Sequence, residues 1–441
     1  MTATLPSTGS ALTGLGELDG FAALRALQDE RTAATLVQAA TSPFYRHRFP
    51  DGLPTELGDL TVVPLTSKDD LRASYPFGML GVPREELATY HESSGSSGAP
   101  TPSYYTEQEW DELGDRFNRK GVELSSSDTL MIRIPYAMVM VAHLAQRGAA
   151  LRGATVVPGD CRSLAAPYAQ MVRVMHDIGV TVTWSTPSET LMLAAAAGLA
   201  GYDTTKDFPA LRALYVAGEP MSRARKARIE QVWNRPVIEE YGCTEMGPMG
   251  GSCPYGRMHF FADRVLPEVF DPRTGEITRE GVGRLVVTPL YRQGMPLLRY
   301  DLEDLVEIRH EDCQCGWYLP TVRVLGRIMH TYTIDDKPIS PVSVEEAVFR
   351  LPAEHGVFFW RAKVTDDRLI VQVEANPDHA DAACAALPGL IADVLDVPAE
   401  VSAVPPGTLV PHSLIGGNRD AMKPRKLYAA DEDWDAAIPR S

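Results

Sequence analysis

From Leu130 to Glu240, short apolar runs of strand length alternate with stretches whose apolar residues recur at helical spacing. Thr129 to Ile134, Ala154 to Pro158, Thr181 to Thr186, Ala213 to Ala217 and Val237 to Glu240 read as strands. Met138 to Arg147, Ala165 to Ile178, Leu191 to Gly198 and Arg223 to Trp233 read as helices between them. Strands separated by helices imply crossover connections and a largely parallel sheet. Ahead of this block, helical spacing runs from Phe21 to about Ala40, where Thr41-Ser42-Pro43 breaks it. An extended piece at Val62 to Thr66 then leads to a helix capped by Ser67, and a further helix spans Thr106 to Lys120.

The texture changes after Arg264. Val265 to Phe270, Gly283 to Thr288 and Leu305 to Ile308 are strand-like and separated by turn chemistry such as Asp271-Pro272-Arg273-Thr274-Gly275, so antiparallel structure is expected. Arg299 to Asp304 reads as an acidic turn between strands. Beyond Gly326-Arg327 the pattern is helix (Val342 to Arg350), strands (Phe358 to Val364, Leu369 to Glu374), helix (His379 to Leu395) and strand (Glu400 to Val404). The fold class is multidomain α/β. An N-terminal domain, 1–326, holds parallel sheets flanked by helices and a small antiparallel β region, and 327–441 forms a small α+β domain.

Composition narrows the function. A chain of 441 residues with 44% hydrophobic and 23% charged positions has the make-up of a globular protein of two or three domains. A net charge of −16 without a basic run argues against nucleic acid as a partner. The longest small-apolar run, Leu191 to Ala200, falls short of the ~18 residues a bilayer span needs. The first sixteen residues lack the basic start and apolar core of a signal peptide, and six cysteines are too few for a disulfide framework, so a cytoplasmic location is expected.

Candidate chemistry concentrates in a few stretches. His91-Glu92-Ser93-Ser94-Gly95-Ser96-Ser97-Gly98-Ala99-Pro100-Thr101 offers glycines that let N–H groups converge on an anion, and hydroxyls that add donors. Standing alone, such a stretch is more often a linker. Glu239-Glu240-Tyr241-Gly242-Cys243-Thr244-Glu245 ends a strand, where α/β sheets bind ligands, and combines an aromatic face, a hydroxyl and a carboxylate suited to Mg²⁺. Gly218-Glu219-Pro220 follows another strand, and Asp304 lies in the acidic run.

The order of these motifs, with Gly326-Arg327 and a late lysine, resembles the adenylate-forming superfamily, and within it the phenylacetate–coenzyme A ligase family. Ser42-Pro43-Phe44-Tyr45-Arg46, Pro64 to Leu71, Tyr75-Pro76-Phe77-Gly78, Asp271 to Glu276 and Pro296 to Tyr300 extend the likeness over roughly 42–427. The resemblance implies an ATP- and Mg²⁺-dependent enzyme that converts a small, aryl-type carboxylic acid to an acyl-AMP and passes the acyl group to coenzyme A. It implies that Ser93, Ser94, Gly95, Ser96, Ser97, Gly98 and Thr101 hold the β- and γ-phosphates. Gly218, Glu219 and Pro220 would line adenine and Tyr241 stack on it, within a nucleotide strand that includes Glu240, Gly242 and Cys243. Thr244 and Glu245 would serve the α-phosphate and Mg²⁺, Asp304 and Arg327 the ribose. Tyr136, Ala217, Met246, Gly247 and Pro248 would shape the acyl pocket. Asn418-Arg419-Asp420-Ala421-Met422-Lys423 aligns with the closing motif, which makes Lys423 the adenylation lysine, with Lys426 as competitor, on a mobile C-terminal domain.

Three positions depart from the family pattern: Ala99 stands where lysine is usual, Ile328-Met329-His330 replaces an acidic hinge pair, and the closing motif lacks its serine, glutamate and glycine. They motivate two rival readings, an adenylating enzyme that hands its acyl group to an amine or a carrier-protein thiol in a biosynthetic pathway, and a non-catalytic nucleotide-binding protein of the same fold. A homodimer is among the assemblies the sequence allows. Separately, Cys253, His259, Cys313 and Cys315 form a Cys-x5-His … Cys-x-Cys set, a closed structural zinc site in chemistry, with unliganded cysteines as the alternative. His91 reads as a packing or substrate-gate residue.

Overall fold

The computed structural model describes residues 18–54, 57–93, 99–161, 166–327, 331–416 and 427–433. By their contacts the residues group into two compact units. One comprises Met1–Asp128, Pro135–Val156 and Ile238–Leu325, the other Thr129–Ile134, Val157–Val237 and Gly326–Ser441.

In the first unit, the helix Phe21–Ala39 ends where expected, but Ser42 does more than break it. Its side chain accepts from the Tyr45 N–H and starts a second helix, Pro43–Arg48, with Pro43 in the first turn, where its missing N–H costs nothing. Ser67 and Thr106 each form a capping box, with Asp70 and Glu109 respectively. The Glu109 carboxylate also accepts from the N–H groups of Gln293 and Gly294, so one buried acid ties the start of the helix Glu107–Phe117 to a distant turn. Leu87–Glu92 and Pro102–Thr106 pair antiparallel and flank the glycine–serine stretch.

The antiparallel strands of this unit follow the order Ile277–Thr278, Val265–Phe270, Gly281–Pro289, Tyr300–Arg309, Thr321–Arg327, Met258–Phe260, Gly247–Ser252, Val237–Cys243. The stretch Arg299 to Asp304 is not a turn between strands but the start of the ten-residue strand Tyr300–Arg309. Its acidic character reflects an irregularity inside the strand: register against Gly281–Pro289 shifts between Arg284 and Val286, and Glu303 takes a φ of 62°.

In the second unit, Thr129–Arg133, Val182–Ser185 and Ala213–Val216 pair in parallel. Their near-continuous burial is what a parallel strand covered on both faces requires. Helices Tyr168–Asp177, Pro187–Leu199 and Arg223–Trp233 contribute Met171, Leu191, Ile229 and Trp233 to a core that continues into Val344, Val348, Leu369 and Leu387. Beyond Gly326, a hairpin Tyr332–Ile334/Lys337–Ile339 turns through Asp335 and Asp336, both at positive φ as a two-residue hairpin turn demands. A sheet follows in the order Ala399–Val404, Leu369–Glu374, Trp360–Val364, Leu427–Tyr428. The helix Pro341–Val348 starts from a capping box at Ser340, and Ala380–Leu395 is the longer helix of this segment.

Candidate functional site

Strand Val237–Cys243 carries the aromatic motif, and each of its side chains has a definite setting. Glu240 is buried against Lys120, Nζ to Oε2 at 2.5 Å. Burial pushes the Glu240 carboxyl up and the Lys120 ammonium down, and their mutual attraction opposes both shifts. The Glu240 side chain is therefore an internal ion-pair partner behind the strand. Tyr241 donates its hydroxyl to Asp304 at 2.7 Å. Asp304 is set by the strand irregularity: Asp301 accepts the Glu303 N–H at 3.0 Å and pairs with Arg284, while Lys68 holds the Glu303 carboxylate at 2.6 Å. At Gly242 an added Cβ would lie 2.4 Å from the Gly247 carbonyl oxygen, so only glycine fits that approach of two strands.

The turn after the strand is fixed by hydroxyls. The Thr244 carbonyl accepts from Ser103 at 3.1 Å and from the Tyr105 hydroxyl. Glu245 is buried, and its Oε1 accepts from Thr101 at 2.6 Å and from Tyr300 at 3.2 Å. Burial, reinforced by the Glu245 charge, holds the Tyr300 phenol and the Cys243 thiol well above their ordinary ranges, so both stay protonated near neutral pH. The Ser93 N–H donates to the Thr101 carbonyl at 3.0 Å, and the Thr101 N–H donates to the Ser93 hydroxyl at 2.9 Å. The two ends of the glycine–serine stretch are thus closed into a neck beside Glu245. Ser94, Gly95, Ser96, Ser97 and Gly98 lie outside the described residues, as do Lys423, Lys426 and Ile328 to His330. Arg327 is the last residue of the strand Thr321–Arg327.

Of the residues assigned to an acyl pocket, Met246 is buried, and Gly247 has a φ of 68° with room for no side chain, since a Cβ would meet Leu113 Cδ2 at 2.3 Å. Pro248 offers its carbonyl to Arg116 at 2.9 Å. The Tyr136 ring stands edge-on to His143 at 5.5 Å, and His143 Nε2–H donates to the Tyr136 carbonyl at 2.9 Å. His91 lies among Tyr105, Trp110 and His143 at 5.7–6.1 Å between ring centroids. Its Nδ1–H donates to the Met138 carbonyl at 3.2 Å, and its Nε2 is buried without a hydrogen-bond partner among the described residues. Arg292 stacks on the Tyr105 ring at 3.5 Å and pairs with Glu109. Motif reading passes over Ser103 and Tyr105, which lie in the strand Pro102–Thr106, and Arg292, which lies in the loop after Gly281–Pro289; Tyr300 closes the Pro296 to Tyr300 stretch without a role of its own there.

In the second unit, Ala217 donates its N–H to the Ser185 carbonyl at 3.1 Å, and Gly218 takes a φ of 79° in the turn that follows. The Glu219 carboxylate accepts from the Ser188 hydroxyl at 2.7 Å and from Arg225 at 3.3 Å, so the side chain braces the turn. Backbone groups of Gly218 to Pro220 are what this turn can present to a ligand.

Cys253, His259, Cys313 and Cys315 place their ligating atoms within 4.8 Å of one another. The Sγ atoms of Cys253 and Cys313 are 4.0 Å apart, and Cys315 Sγ is 3.4 Å from His259 Nε2. A tetrahedral zinc with Zn–S of ~2.3 Å and Zn–N of ~2.05 Å needs S···S near ~3.8 Å and S···N near ~3.5 Å. His259 Nδ1–H donates to the Leu319 carbonyl at 2.8 Å, which leaves the Nε2 lone pair facing the sulfurs. Burial, and then the neighbouring thiols, push Cys315 up to about 12, a pressure that a divalent cation would relieve. The set fits a closed structural metal site.

The family model described as AMP-binding enzyme matches residues 65–288. The chain is 31% identical over 369 residues to a phenylacetate–coenzyme A ligase of Thermus thermophilus, covering 80% of this chain and 82% of that protein. It is 30% identical over 372 residues to that of Aromatoleum evansii, with the same coverage. Among solved structures, a 2-hydroxyisobutyryl-CoA ligase in complex with 2-HIB-AMP superposes with a TM-score of 0.82 at 23% identity, over 94% of this chain and 91% of that one.

Buried His91 makes stability depend on pH. Burial lowers its pKa from 6.5 to about 4, so between those values the unfolded chain binds a proton that the folded chain refuses. Stability then falls as pH drops through this window. Urea denaturation of wild type and His91→Gln in steps from pH 7 to pH 4 should show a shallower acid loss in the variant; parallel losses would contradict the assignment.

Proposed function

The chain belongs to the AMP-binding enzyme family, and from that premise we propose that it joins a carboxylic acid to ATP as an acyl-AMP and then transfers the acyl group to coenzyme A. The observation that carries this reading is the convergence at one strand end of Tyr241 with Asp304 and of Glu245 with Thr101 and Tyr300.

In the first step a carboxylate oxygen attacks the α-phosphorus of ATP, the bond to the β-phosphate bridging oxygen breaks, and pyrophosphate leaves. In the second the coenzyme A thiolate attacks the acyl carbon and AMP leaves. Both partners of the first step are anions, so catalysis is positioning plus charge neutralisation. In the proposed assignment, Tyr241 stacks on adenine while its hydroxyl keeps Asp304 oriented toward the ribose, with Arg327 as a second ribose contact. The backbone of Gly218, Glu219 and Pro220 lines the ring. Ser93 and Thr101 close the neck of a loop that cradles the β- and γ-phosphates, and Thr244 serves the α-phosphate. Glu245 would hold Mg²⁺, which supplies positive charge at the phosphates. Lys423 supplies the further cation from a mobile C-terminal domain, 327–441. Tyr136, Ala217, Met246, Gly247 and Pro248 bound the acyl group, and their apolar character favours an aryl acid over a charged one. Cys253, His259, Cys313 and Cys315 would hold a structural zinc.

Release of AMP with a panel of aryl and alkyl acids, with and without coenzyme A, tests the reading. AMP formation that requires acid and coenzyme A, and that falls roughly 10²- to 10³-fold in Lys423→Ala, is the expected result. Acyl-AMP accumulation indifferent to coenzyme A would move the acceptor to an amine or a carrier-protein thiol, and silence with every acid would overturn adenylation.

For the metal set, elemental analysis should find about one zinc per chain, reduced in Cys313→Ser, with a lower thermal midpoint after chelation. Zinc-free protein with an unchanged midpoint would return the quartet to unliganded cysteines.

A further inference from the structure

We propose that Arg225 is a positioning residue that makes the turn Gly218–Glu219–Pro220 and the helix Pro341–Val348 seat as one piece. The inference rests on the reading of that turn as the adenine-facing one.

Arg225 lies in the helix Arg223–Trp233 and is buried, with a relative exposure of 1%. Its Nη1 donates to Glu219 at 3.3 Å and to Glu345 at 3.1 Å, and its Nη2 donates to the Ser188 hydroxyl at 2.8 Å. Glu219 belongs to the turn and Glu345 to the helix Pro341–Val348, so one guanidinium nitrogen bridges two carboxylates more than 120 residues apart. Glu345 also accepts the Ser222 N–H at 3.0 Å, and Glu346 accepts the Ala224 N–H at 2.9 Å. Two acids of one helix therefore meet the first turn of another, where N–H groups point outward and negative charge is stabilised. On the other side, Glu219 accepts the Ser188 N–H at 3.2 Å as well as its hydroxyl, which ties the turn to the start of Pro187–Leu199.

The electrostatics give the arrangement its directionality. Both carboxylates are buried or nearly so, with side-chain exposures of 12% and 5%, and both face the one cation. Taking the guanidinium away sets two like charges against each other in a low-dielectric setting, which favours separation of the helix from the turn. A ligand that fixes the turn then fixes Glu219, Arg225 and Glu345 in sequence, and by reciprocity the seating of Pro341–Val348 sets how well the turn is preformed for its ligand.

The test combines amide hydrogen exchange with kinetics. In Arg225→Gln the Ser222 and Ala224 amides should exchange faster, and KM for ATP in acid-dependent pyrophosphate–ATP exchange should rise roughly tenfold, within the usual range of coupling. In Arg225→Gln/Glu345→Gln, which removes the repulsion, most of both effects should be recovered, a non-additivity that loss of a structural residue would not produce. Wild-type KM and exchange in Arg225→Gln, or a double variant no better than the single, would overturn the proposal. If Arg225→Gln does not fold, Glu345→Gln alone is read: a rise of about threefold in KM supports the coupling, and no rise overturns it. Absence of pyrophosphate exchange in the wild type with every acid would count against the proposed reaction instead, and the amide-exchange arm would still report on the coupling.

Discussion

A carboxylate taken out of water must be matched by donors, and Glu245 is matched by the hydroxyls of Thr101 and Tyr300. That requirement organises the first unit around its strand end. It draws the hairpin Leu87–Glu92/Pro102–Thr106 and the strand Tyr300–Arg309 to the same place, and with them Ser93 and Asp304. Hydroxyls, unlike a lysine or arginine, satisfy the acid without bringing a positive charge to it. A carboxylate with only neutral donors is a hard oxygen ligand, which suits the divalent-cation role proposed for Glu245.

Cations elsewhere near this motif are committed to structure. Lys120 answers Glu240, Lys68 answers Glu303, and Arg292 answers Glu109 while stacking on Tyr105. Each pair fixes a backbone segment that presents a neutral or acidic group. Among the described residues these cations are engaged by acids, which is why the proposal looks to Mg²⁺ and Lys423 for the charge that joining two anions calls for. Arg225 has the same structural logic in the second unit, where it joins two acids from separate segments.

Much of this architecture is legible in the sequence because it is local. Alternation of strand and helix periods, the capping boxes at Ser67 and Thr106, and the run Tyr241 to Glu245 each need only a few neighbouring residues. What escaped the pattern depends on distant partners. Gly247–Ser252 is a fully buried strand with no β-branched residue; its glycines are there because a Cβ at Gly250 would approach the His259 carbonyl to 2.8 Å. The acidic run before Asp304 reads as a turn because Asp301 does fold back on the Glu303 N–H, yet pairing with Gly281–Pro289 keeps it in a strand. The motifs of Glu219 and Glu240 point to the nucleotide, while their carboxylates are engaged by Ser188 and Arg225 and by Lys120. A motif places a residue near a site, and its side chain's partner decides what it contributes.

The most direct measurement is to follow the oxygen. With an acid labelled with heavy oxygen in its carboxylate, attack on the α-phosphorus and departure of AMP from the acyl carbon leave one labelled oxygen in AMP. Labelled AMP is the expected result by mass spectrometry in the presence of acid, ATP and coenzyme A. Thioester formed alongside unlabelled AMP would contradict it, because the acid would then have been activated by a route that does not pass through an acyl-AMP.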